Sequence, residues 1–144
     1  MSEIIVLDTH IWLWAVNGNL ERMPPTWLDR IRKADRVGIS PVSCYEVTLA
    51  NKKGRLELPI SVDEWLEAAT SPSLFEIFPL TARIALGAVN LSPIHKDPFD
   101  RIIIATAIAY DAKLASIDKL FFEYDELKGR LLITLDESAM SSYS

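Results

Sequence analysis

Residues 4–16 read IIVLDTHIWLWAV, and this stretch indicates the fold. The first part, Ile4 to Leu7, is a short and wholly apolar run, typical of a strand that is buried on both faces of a parallel sheet. Asp8 ends the run, and the residues from His10 to Val16 predict a helix. A buried strand that leads directly into a helix is typical of an α/β fold.

The same alternation continues along the chain. Ser40-Pro41, Ser61 and Asp97-Pro98 mark the starts of helices, and Pro24-Pro25 is expected in the first turn of another. The pattern predicts further strands at residues 37–39, 74–78, 113–116 and 131–134, and further helices at residues 26–33, 41–52, 61–70, 81–89, from 98 onward and at 118–122. It therefore predicts a mostly parallel sheet with helices on both faces, with ligands bound at the carboxyl ends of the strands.

The composition is that of a soluble globular protein. The chain has 144 residues, 49% hydrophobic and 24% charged, and no apolar run near the roughly 20 residues that a membrane span requires. We predict one folded domain over residues 1–136 and a polar C-terminal tail over residues 137–144. The single cysteine and a start that lacks signal-peptide character make the cytoplasm the expected location.

The net charge of −5 is unusual for a protein that binds nucleic acid, because phosphate groups favour a basic surface. Basic residues nevertheless cluster at residues 30–36 and 52–55. Each cluster can equally be an ordinary solvated surface. Bound divalent cations would also offset part of the carboxylate charge where a substrate docks.

Four acidic residues occupy positions that are hard to explain as solvated surface. Asp8 and Asp118 each follow a predicted strand. Glu46 lies about two turns into the helix after the second strand, and Asp100 lies in the first turn of a long helix, towards its apolar face. Because Asp and Glu are almost never fully buried unless they are paired, these four are the candidate site residues.

Each acid also has a simpler explanation when it is considered alone. Asp8 and Asp118 can cap the helices that follow them, and Asp100 can favour the dipole of its helix. Asp97 is more readily explained as an N-cap than as a ligand, because Pro98 follows it. The set of acids is therefore stronger evidence for a site than any single member.

Four clustered carboxylates would repel one another and raise one another's pKa values. A hard divalent cation relieves this repulsion, because it prefers oxygen ligands. Mg²⁺ or Mn²⁺ fits such a set. Zinc does not, because His10 and His95 are far apart in the sequence and Cys44 stands alone.

In their order along the chain these residues resemble the motifs of the PIN-domain family, in particular the VapC-type toxins of toxin–antitoxin pairs. The resemblance covers roughly residues 4–134 and rests on four segments: LDTHIWLW at residues 7–14, SPVSCYE at residues 40–46, HKDPFDR at residues 95–101 and LASID at residues 114–118. The third segment is the most specific of the four.

The resemblance implies a three-layer α/β/α sandwich and Mg²⁺- or Mn²⁺-dependent endonuclease cleavage of RNA that arrests translation. It also implies a cognate antitoxin that blocks the site, and it favours a homodimer. By position, the residues that bind the metal and catalyse cleavage are Asp8, Glu46, Asp100 and Asp118. Asp97 is then an accessory acid, and the hydroxyl groups that support the metal ligands are those of Thr9, Ser43 and Ser116.

Trp12 and Trp14 lie two residues apart on the first predicted helix, so they cannot share one face of it. We therefore expect one of them to lie in an exposed apolar patch that receives a partner.

Two other functions are compatible with a similar fold. One is a PIN-like binding module without catalysis, although such a module would be expected to lose some of the four acids. The other is a phosphoaspartate enzyme or receiver domain. The phosphatases of that kind place Asp-x-Asp after the first strand, where this chain has Asp8-Thr9-His10.

Overall fold

The computed structural model describes residues 3–132 and confirms an α/β fold. The described part contains four strands, β1 (Ile4–Leu7), β2 (Arg36–Ile39), β3 (Glu76–Ile77) and β4 (Lys113–Ala115). It also contains six α-helices, which are α1 (Thr9–Asn17), α2 (Trp27–Lys33), α3 (Pro41–Lys52), α4 (Val62–Ala69), α5 (Ala82–Val89) and α6 (Pro98–Ala109). Short 3₁₀ helices cover Leu20–Arg22, Lys119–Glu123 and Asp125–Leu127.

The sheet is parallel throughout, as predicted. Its strand order is β3-β2-β1-β4, so β1 lies between β2 and β4. In the register, Ile5 pairs with Val37 on one side and with Lys113 on the other. The chain therefore leaves β1 towards one neighbour and returns to its other side, and a crevice at the carboxyl end of β1 is where such sheets bind ligands.

Side chains of the central strand alternate between two hydrophobic cores. Ile5 and Leu7 pack in one core with the tryptophans of α1, α2 and α4, whereas Val6 packs in the other core with Ile103 and Ile104 of α6. Helices therefore cover both faces of the sheet, which gives the predicted three layers.

Most helix starts lie where the sequence predicts them. Ser40 accepts a hydrogen bond from the amide of Val42, and α3 begins at Pro41 and ends at Lys52. Asp97 accepts a hydrogen bond from the amide of Phe99 at the start of α6. A side-chain oxygen at the N-cap satisfies an amide that the first helical turn leaves free.

Three local predictions need correction. Pro24-Pro25 precedes α2 instead of lying in its first turn. Pro25 disfavours helical geometry at Pro24, and Thr26 adopts a φ of 79°, which is outside the right-handed helical region. The third strand is limited to Glu76–Ile77, because Leu74 and Phe75 donate their amides to Ser71 in a turn. The predicted helix at 118–122 is a 3₁₀ helix, Lys119–Glu123.

The C-terminal predictions lie largely outside the described residues. Leu131 forms a parallel bridge with Leu114, which agrees with the start of the predicted strand at 131–134. Residues 133–144, including the predicted tail from 137 onward, are outside the described part. Among residues 3–132, no helix is long and apolar enough to cross a membrane.

Candidate active site

The predicted acids lie around the carboxyl ends of the neighbouring strands β1 and β4. Asp8 follows β1 directly, and its amide donates to the carbonyl of Ala115 at the end of β4. Ser116 and Asp118 follow β4, so that pairing of β1 with β4 brings them beside Asp8. Residues more than one hundred positions apart in sequence therefore form one side of the site.

Asp8 is held by hydrogen bonds to both of its carboxylate oxygens. Oδ1 accepts from the amide of Thr9 at 2.9 Å, and Oδ2 accepts from Oγ of Ser116 at 2.7 Å. The same Ser116 oxygen accepts from the amide of Asp118 at 3.1 Å, which links the two acids. Burial raises the pKa of Asp8 in spite of these hydrogen bonds.

Glu46 joins the site through hydroxyl groups. Thr9 donates its hydroxyl to Oε1 of Glu46 at 2.8 Å, so Ser43 Oγ, at 2.8 Å from Thr9 Oγ1, is the donor in that contact. Burial is the main reason that the pKa of Glu46 is raised, and the negative charges of Asp8 and Asp97 add to it. Thr9 and Ser43 thus orient Glu46 from α1 and α3.

Asp100 has a strongly raised pKa. Burial in the first turn of α6 raises its pKa, and the charges of Asp8, Asp97 and Glu46 raise it further. Nearby His95 lowers the pKa, and the balance is a value of about 7. Since Asp100 feels Asp8 and Glu46, and Asp8 feels Asp118, the four acids share one electrostatic environment.

His95 is a site residue that our sequence analysis did not select. Its Nε2 lies 2.9 Å from Oδ2 of Asp118 and 3.9 Å from Oδ2 of Asp100, and one ligand atom from each of the three residues lies within 4.8 Å of the others. In the sequence analysis, histidine is treated only as one of a pair of zinc ligands. The signal that was present in the sequence is the place of His95 at the head of the HKDPFDR segment.

The helix-capping explanations of Asp8, Asp97 and Asp118 are correct at the same time as their position in the site. Asp118 Oδ1 accepts from the amide of Leu120, and Asp8 and Asp97 accept from Thr9 and Phe99. Capping leaves each carboxylate with lone pairs to spare. Asp97 is exposed and acts on the other acids through its charge, which places it at the margin of the site.

The expected exposed tryptophan is absent from α1. Trp12 is fully buried, with its ring 5.0 Å from that of Trp65 on α4. Trp14 is 9% exposed and is covered by His10 and by Arg22, each about 6.0 Å away. The prediction of an apolar partner patch at Trp12 or Trp14 is therefore wrong, because helix α4 and the 20–22 segment cover two sides of α1.

The donor set fits a hard divalent cation. Within residues 3–132, no lysine or arginine forms an ion pair with Asp8, Glu46, Asp100 or Asp118, and the basic side chain within 4 Å of two of these acids is that of His95. Burial raises the pKa values of Asp8, Glu46 and Asp100, and the charges of neighbouring acids raise them further. The cluster therefore offers several carboxylate oxygens, and oxygen atoms are the ligands that Mg²⁺ and Mn²⁺ prefer.

The fold is a parallel α/β sandwich, and a cluster of carboxylates lies at the carboxyl edge of its sheet. The protein is therefore an α/β domain with an acidic site that suits a metal ion. The chain belongs to the PIN-domain family, whose sequence model matches residues 5–127. This membership removes the phosphoaspartate alternative.

Comparisons with individual proteins agree. The chain is 28% identical over 116 residues to Ribonuclease VapC22 of Mycobacterium tuberculosis (strain ATCC 25618 / H37Rv), which covers 80% of this chain and 87% of that protein. Its fold is similar to a chain of VapBC2 from Rickettsia felis bound to a promoter DNA fragment, with a TM-score of 0.66, 19% identity and coverage of 90% and 97%. It is also similar to a chain of a toxin–antitoxin complex from Klebsiella pneumoniae, with a TM-score of 0.57, 22% identity and coverage of 90% and 96%.

Proposed function

We propose that this chain is a metal-dependent endoribonuclease and the toxin of a toxin–antitoxin pair that acts in the cytoplasm. The observation that carries the proposal is the cluster itself, in which hydrogen bonds connect Glu46, Thr9 and Asp8, and continue through Ser116 to Asp118. The similarity to Ribonuclease VapC22 supports RNA as the substrate.

In this proposal Asp8, Glu46, Asp100 and Asp118 hold Mg²⁺ or Mn²⁺. When bound, such an ion supplies an activated water and stabilises charge on the phosphoryl group. The protein's own groups hold the ligands in place: Ser116 orients Asp8, and Thr9 with Ser43 orients Glu46. Asp97 adds negative charge at the margin and so strengthens attraction of the cation.

Of the two basic clusters, residues 52–55 are the better candidate for contact with the RNA backbone. Arg30 and Arg36 in the other cluster are engaged in ion pairs with Glu3 and Glu76. Lys52, Lys53 and Arg55 are exposed, and the described residues include no ion-pair partner for them. They follow α3, which carries Glu46, and free cations of this kind suit phosphate binding.

The test of activity is cleavage of RNA by the purified protein. Cleavage is expected with Mg²⁺ or Mn²⁺, is expected to stop with EDTA, and is expected to return when excess metal is added. A protein that binds RNA but does not cut it under any of these conditions would instead be a non-catalytic PIN-like binding module. Activity that EDTA leaves unchanged would refute the metal-dependent mechanism.

This proposal requires a cognate antitoxin as partner. The acidic cluster suits an inhibitor that inserts an arginine, because a guanidinium group binds a carboxylate through two hydrogen bonds. Apolar groups around the acids provide an anchor: Ile117 is 49% exposed between Ser116 and Asp118, and Tyr45 is 57% exposed beside Glu46. The Klebsiella pneumoniae neighbour, solved as a toxin–antitoxin complex, supports such an assembly.

The antitoxin proposal is tested by expressing the chain alone and with the small protein encoded beside its gene. Expression alone is expected to stop growth, and co-expression is expected to restore growth and to yield a stable complex. Tyr45→Ala is expected to weaken the complex, whereas Leu74→Ala, which removes a 61% exposed side chain from the turn before β3, controls for loss of an exposed apolar group. A neighbour protein that neither binds nor protects would refute this part of the proposal.

A homodimer is also part of the proposal, and α5 offers a face for it. Ala82, Ala85, Leu86 and Val89 recur at helical spacing and are all exposed, with Leu86 63% and Val89 76% exposed. An apolar stripe of this kind on a single chain favours contact with a second copy. Light scattering is expected to give the mass of two chains, and Leu86→Glu is expected to give the mass of one.

A further inference from the structure

His95 is fixed by aromatic residues from the segment that follows Asp118. It is buried, and its ring stacks on Tyr124 with 5.5 Å between the ring centroids and 10° between the planes. The ring of Phe121 packs edge-to-face against His95, with 4.9 Å between the centroids. The hydroxyl oxygen of Tyr124 accepts from the backbone amide of His95 at 2.8 Å and lies 3.0 Å from its Nδ1. Tyr124 is itself 1% exposed, so this contact lies in the protein interior.

The hydrogen-bond partners determine which ring nitrogen carries a proton. An ionised carboxylate only accepts, so the contact of 2.9 Å between Nε2 of His95 and Oδ2 of Asp118 requires a proton on Nε2. In the neutral ring Nδ1 is then an acceptor, and the hydroxyl of Tyr124 donates to it. The three groups form a chain of hydrogen bonds, in which Tyr124 donates to His95 and His95 donates to Asp118.

Asp118 is thereby held at both oxygens. Oδ1 accepts from the amide of Leu120 at 2.9 Å, and Oδ2 accepts from His95. The separation of 3.9 Å between His95 Nε2 and Asp100 Oδ2 is too long for a hydrogen bond, so Asp100 keeps its oxygens free. Each Asp118 oxygen accepts one of these two hydrogen bonds and so keeps a further lone pair.

Arg101 fixes the backbone of His95. The guanidinium of Arg101 donates to the carbonyl of His95 at 3.2 Å. It also donates to four further carbonyls of the segment before His95, those of Ala88, Val89, Leu91 and Ser92. An arginine that satisfies five carbonyls fixes the conformation of this segment, and with it the direction of the imidazole.

We propose that His95 is a positioning residue of the acidic site, which Tyr124 and Arg101 hold so that Nε2–H fixes the orientation of the Asp118 carboxylate among the metal ligands. The inference rests on the proposed function of the four acids. Groups that hydrogen-bond to ligating carboxylates commonly change metal affinity or activity about 10- to 100-fold when they are removed.

The first experiment tests the hydrogen-bond series without metal or RNA. Long-range proton–nitrogen NMR spectra distinguish protonated from unprotonated imidazole nitrogens, and His10→Gln identifies the signals, because the chain has two histidines. Nε2 of His95 is expected to be protonated in EDTA, with Nδ1 perturbed by Tyr124→Phe. An unprotonated Nε2 would overturn the inference.

The second experiment measures Mn²⁺ binding by paramagnetic resonance and RNA cleavage on the same samples. Tyr124→Phe keeps the stacked ring and removes one hydroxyl, and its expected result is about 10-fold weaker Mn²⁺ binding and a lower kcat with little change in KM. Tyr110→Phe is the matched control, since no hydrogen bond of its hydroxyl is recorded among the described residues and its ring stacks on Phe78.

Two variants of His95 separate positioning from general structural support. His95→Gln retains an amide donor near the place of Nε2 and is expected to keep more Mn²⁺ affinity than His95→Leu, which retains none. Mn²⁺ bound to the parent is expected to show no directly coordinated nitrogen. A nitrogen coupling that His95→Leu removes would make His95 a ligand and would overturn the positioning role.

The failures of the two proposals are distinguishable. A parent protein that neither binds Mn²⁺ nor cuts RNA refutes the proposed function and the inference together. A parent that does both, with Tyr124→Phe indistinguishable from Tyr110→Phe, refutes the inference alone.

Discussion

Asp100 is a carboxyl group whose surroundings oppose its ionisation. Its pKa of about 7 exceeds the usual value of 3.8, so the folded protein retains a proton that the unfolded chain releases between these pH values. The resulting stabilisation is complete below the lower value and is lost as the pH rises to about 7. Burial and the neighbouring acids are the cause, and a bound cation would reverse it.

The predicted consequence is a pH dependence of stability in EDTA. Between about pH 4 and pH 7, Asp100 is expected to contribute a decline of up to roughly 4 kcal/mol in the free energy of unfolding. Asp100→Asn is expected to remove this decline and to be at least as stable as the parent at pH 7.5. Denaturant unfolding at several pH values measures it, and Asp63→Asn, an exposed acid on α4, is the control. Identical pH profiles for Asp100→Asn and the parent would contradict the assigned electrostatics.

Ser116 links the two acids that follow neighbouring strands. Ser116→Ala removes the hydroxyl that donates to Asp8 and accepts from the Asp118 amide, and leaves the buried Asp8 with one donor fewer. The expected result is a loss of about 1–3 kcal/mol in the free energy of unfolding and lower cleavage activity. Ser73→Ala, in an exposed turn, is expected to change neither. Equal stability of the two variants would show that Ser116 does not support Asp8.

At the scale of secondary structure, Gly38 in β2 permits close contact with the segment after β3. A Cβ atom at this position would overlap the ring of Phe78, which is buried and stacked on Tyr110, the residue after α6. Gly38→Ala is therefore expected to lower the free energy of unfolding by about 1–3 kcal/mol or more.

A glycine in α5 is the matched control for this substitution. At Gly87 a Cβ would meet the Cβ of Ala105 at 3.8 Å, an ordinary contact, and alanine favours helix over glycine. Gly87→Ala is expected to leave stability unchanged or to raise it by about 0.5–1 kcal/mol. Thermal unfolding of both variants measures the contrast, and a change of the same sign in both would refute the packing argument.

Arg101 connects helix α6 to the end of α5 and to the segment that carries His95. Arg101→Lys keeps the charge, but lysine cannot donate hydrogen bonds to five carbonyls. We therefore expect the free energy of unfolding to fall by at least about 1.5 kcal/mol and hydrogen exchange at residues 89–95 to become faster. Arg83→Lys, which is exposed on α5, is the control. Unchanged exchange at residues 89–95 would show that Arg101 does not order this segment.

Sequence reasoning succeeded where the determining signal is local. Helix α3 begins after Ser40 and ends at Lys52 as predicted, because an N-cap, a proline and an apolar pattern lie within a few residues of one another. It failed where tertiary contacts decide. The burial of Trp14 depends on Arg22 and His10, and the stacking of His95 on Tyr124 joins residues 29 positions apart.

The acids of the site were predictable only in part. Their positions at strand ends predicted that Asp8 and Asp118 would lie together, because parallel strands end at one edge of a sheet. The hydrogen bonds that connect them were not predictable in detail, since Ser116 had to be identified by resemblance and His95 was missed. Their metal-binding role remains a prediction.

At the scale of the whole molecule, the fold is proposed to assemble one divalent metal site from four distant segments of the chain. Each acid is contributed by a different segment: the end of β1, helix α3, helix α6 and the segment after β4. In the proposed function the sheet supplies the geometry of the site, and the charge of the assembled acids supplies the affinity for the cation. If this is correct, the four acids act as a unit.

The measurement that tests this claim most directly is a calorimetric titration of Mn²⁺ into the parent and into Asp8→Asn, Glu46→Gln, Asp100→Asn and Asp118→Asn, with RNA cleavage measured on the same samples. Asp63→Asn is the control, and circular dichroism verifies the fold of each variant. The account predicts that each of the four substitutions weakens Mn²⁺ binding and abolishes cleavage, while Asp63→Asn changes neither. A folded variant among the four that binds Mn²⁺ and cuts RNA as the parent does would contradict it.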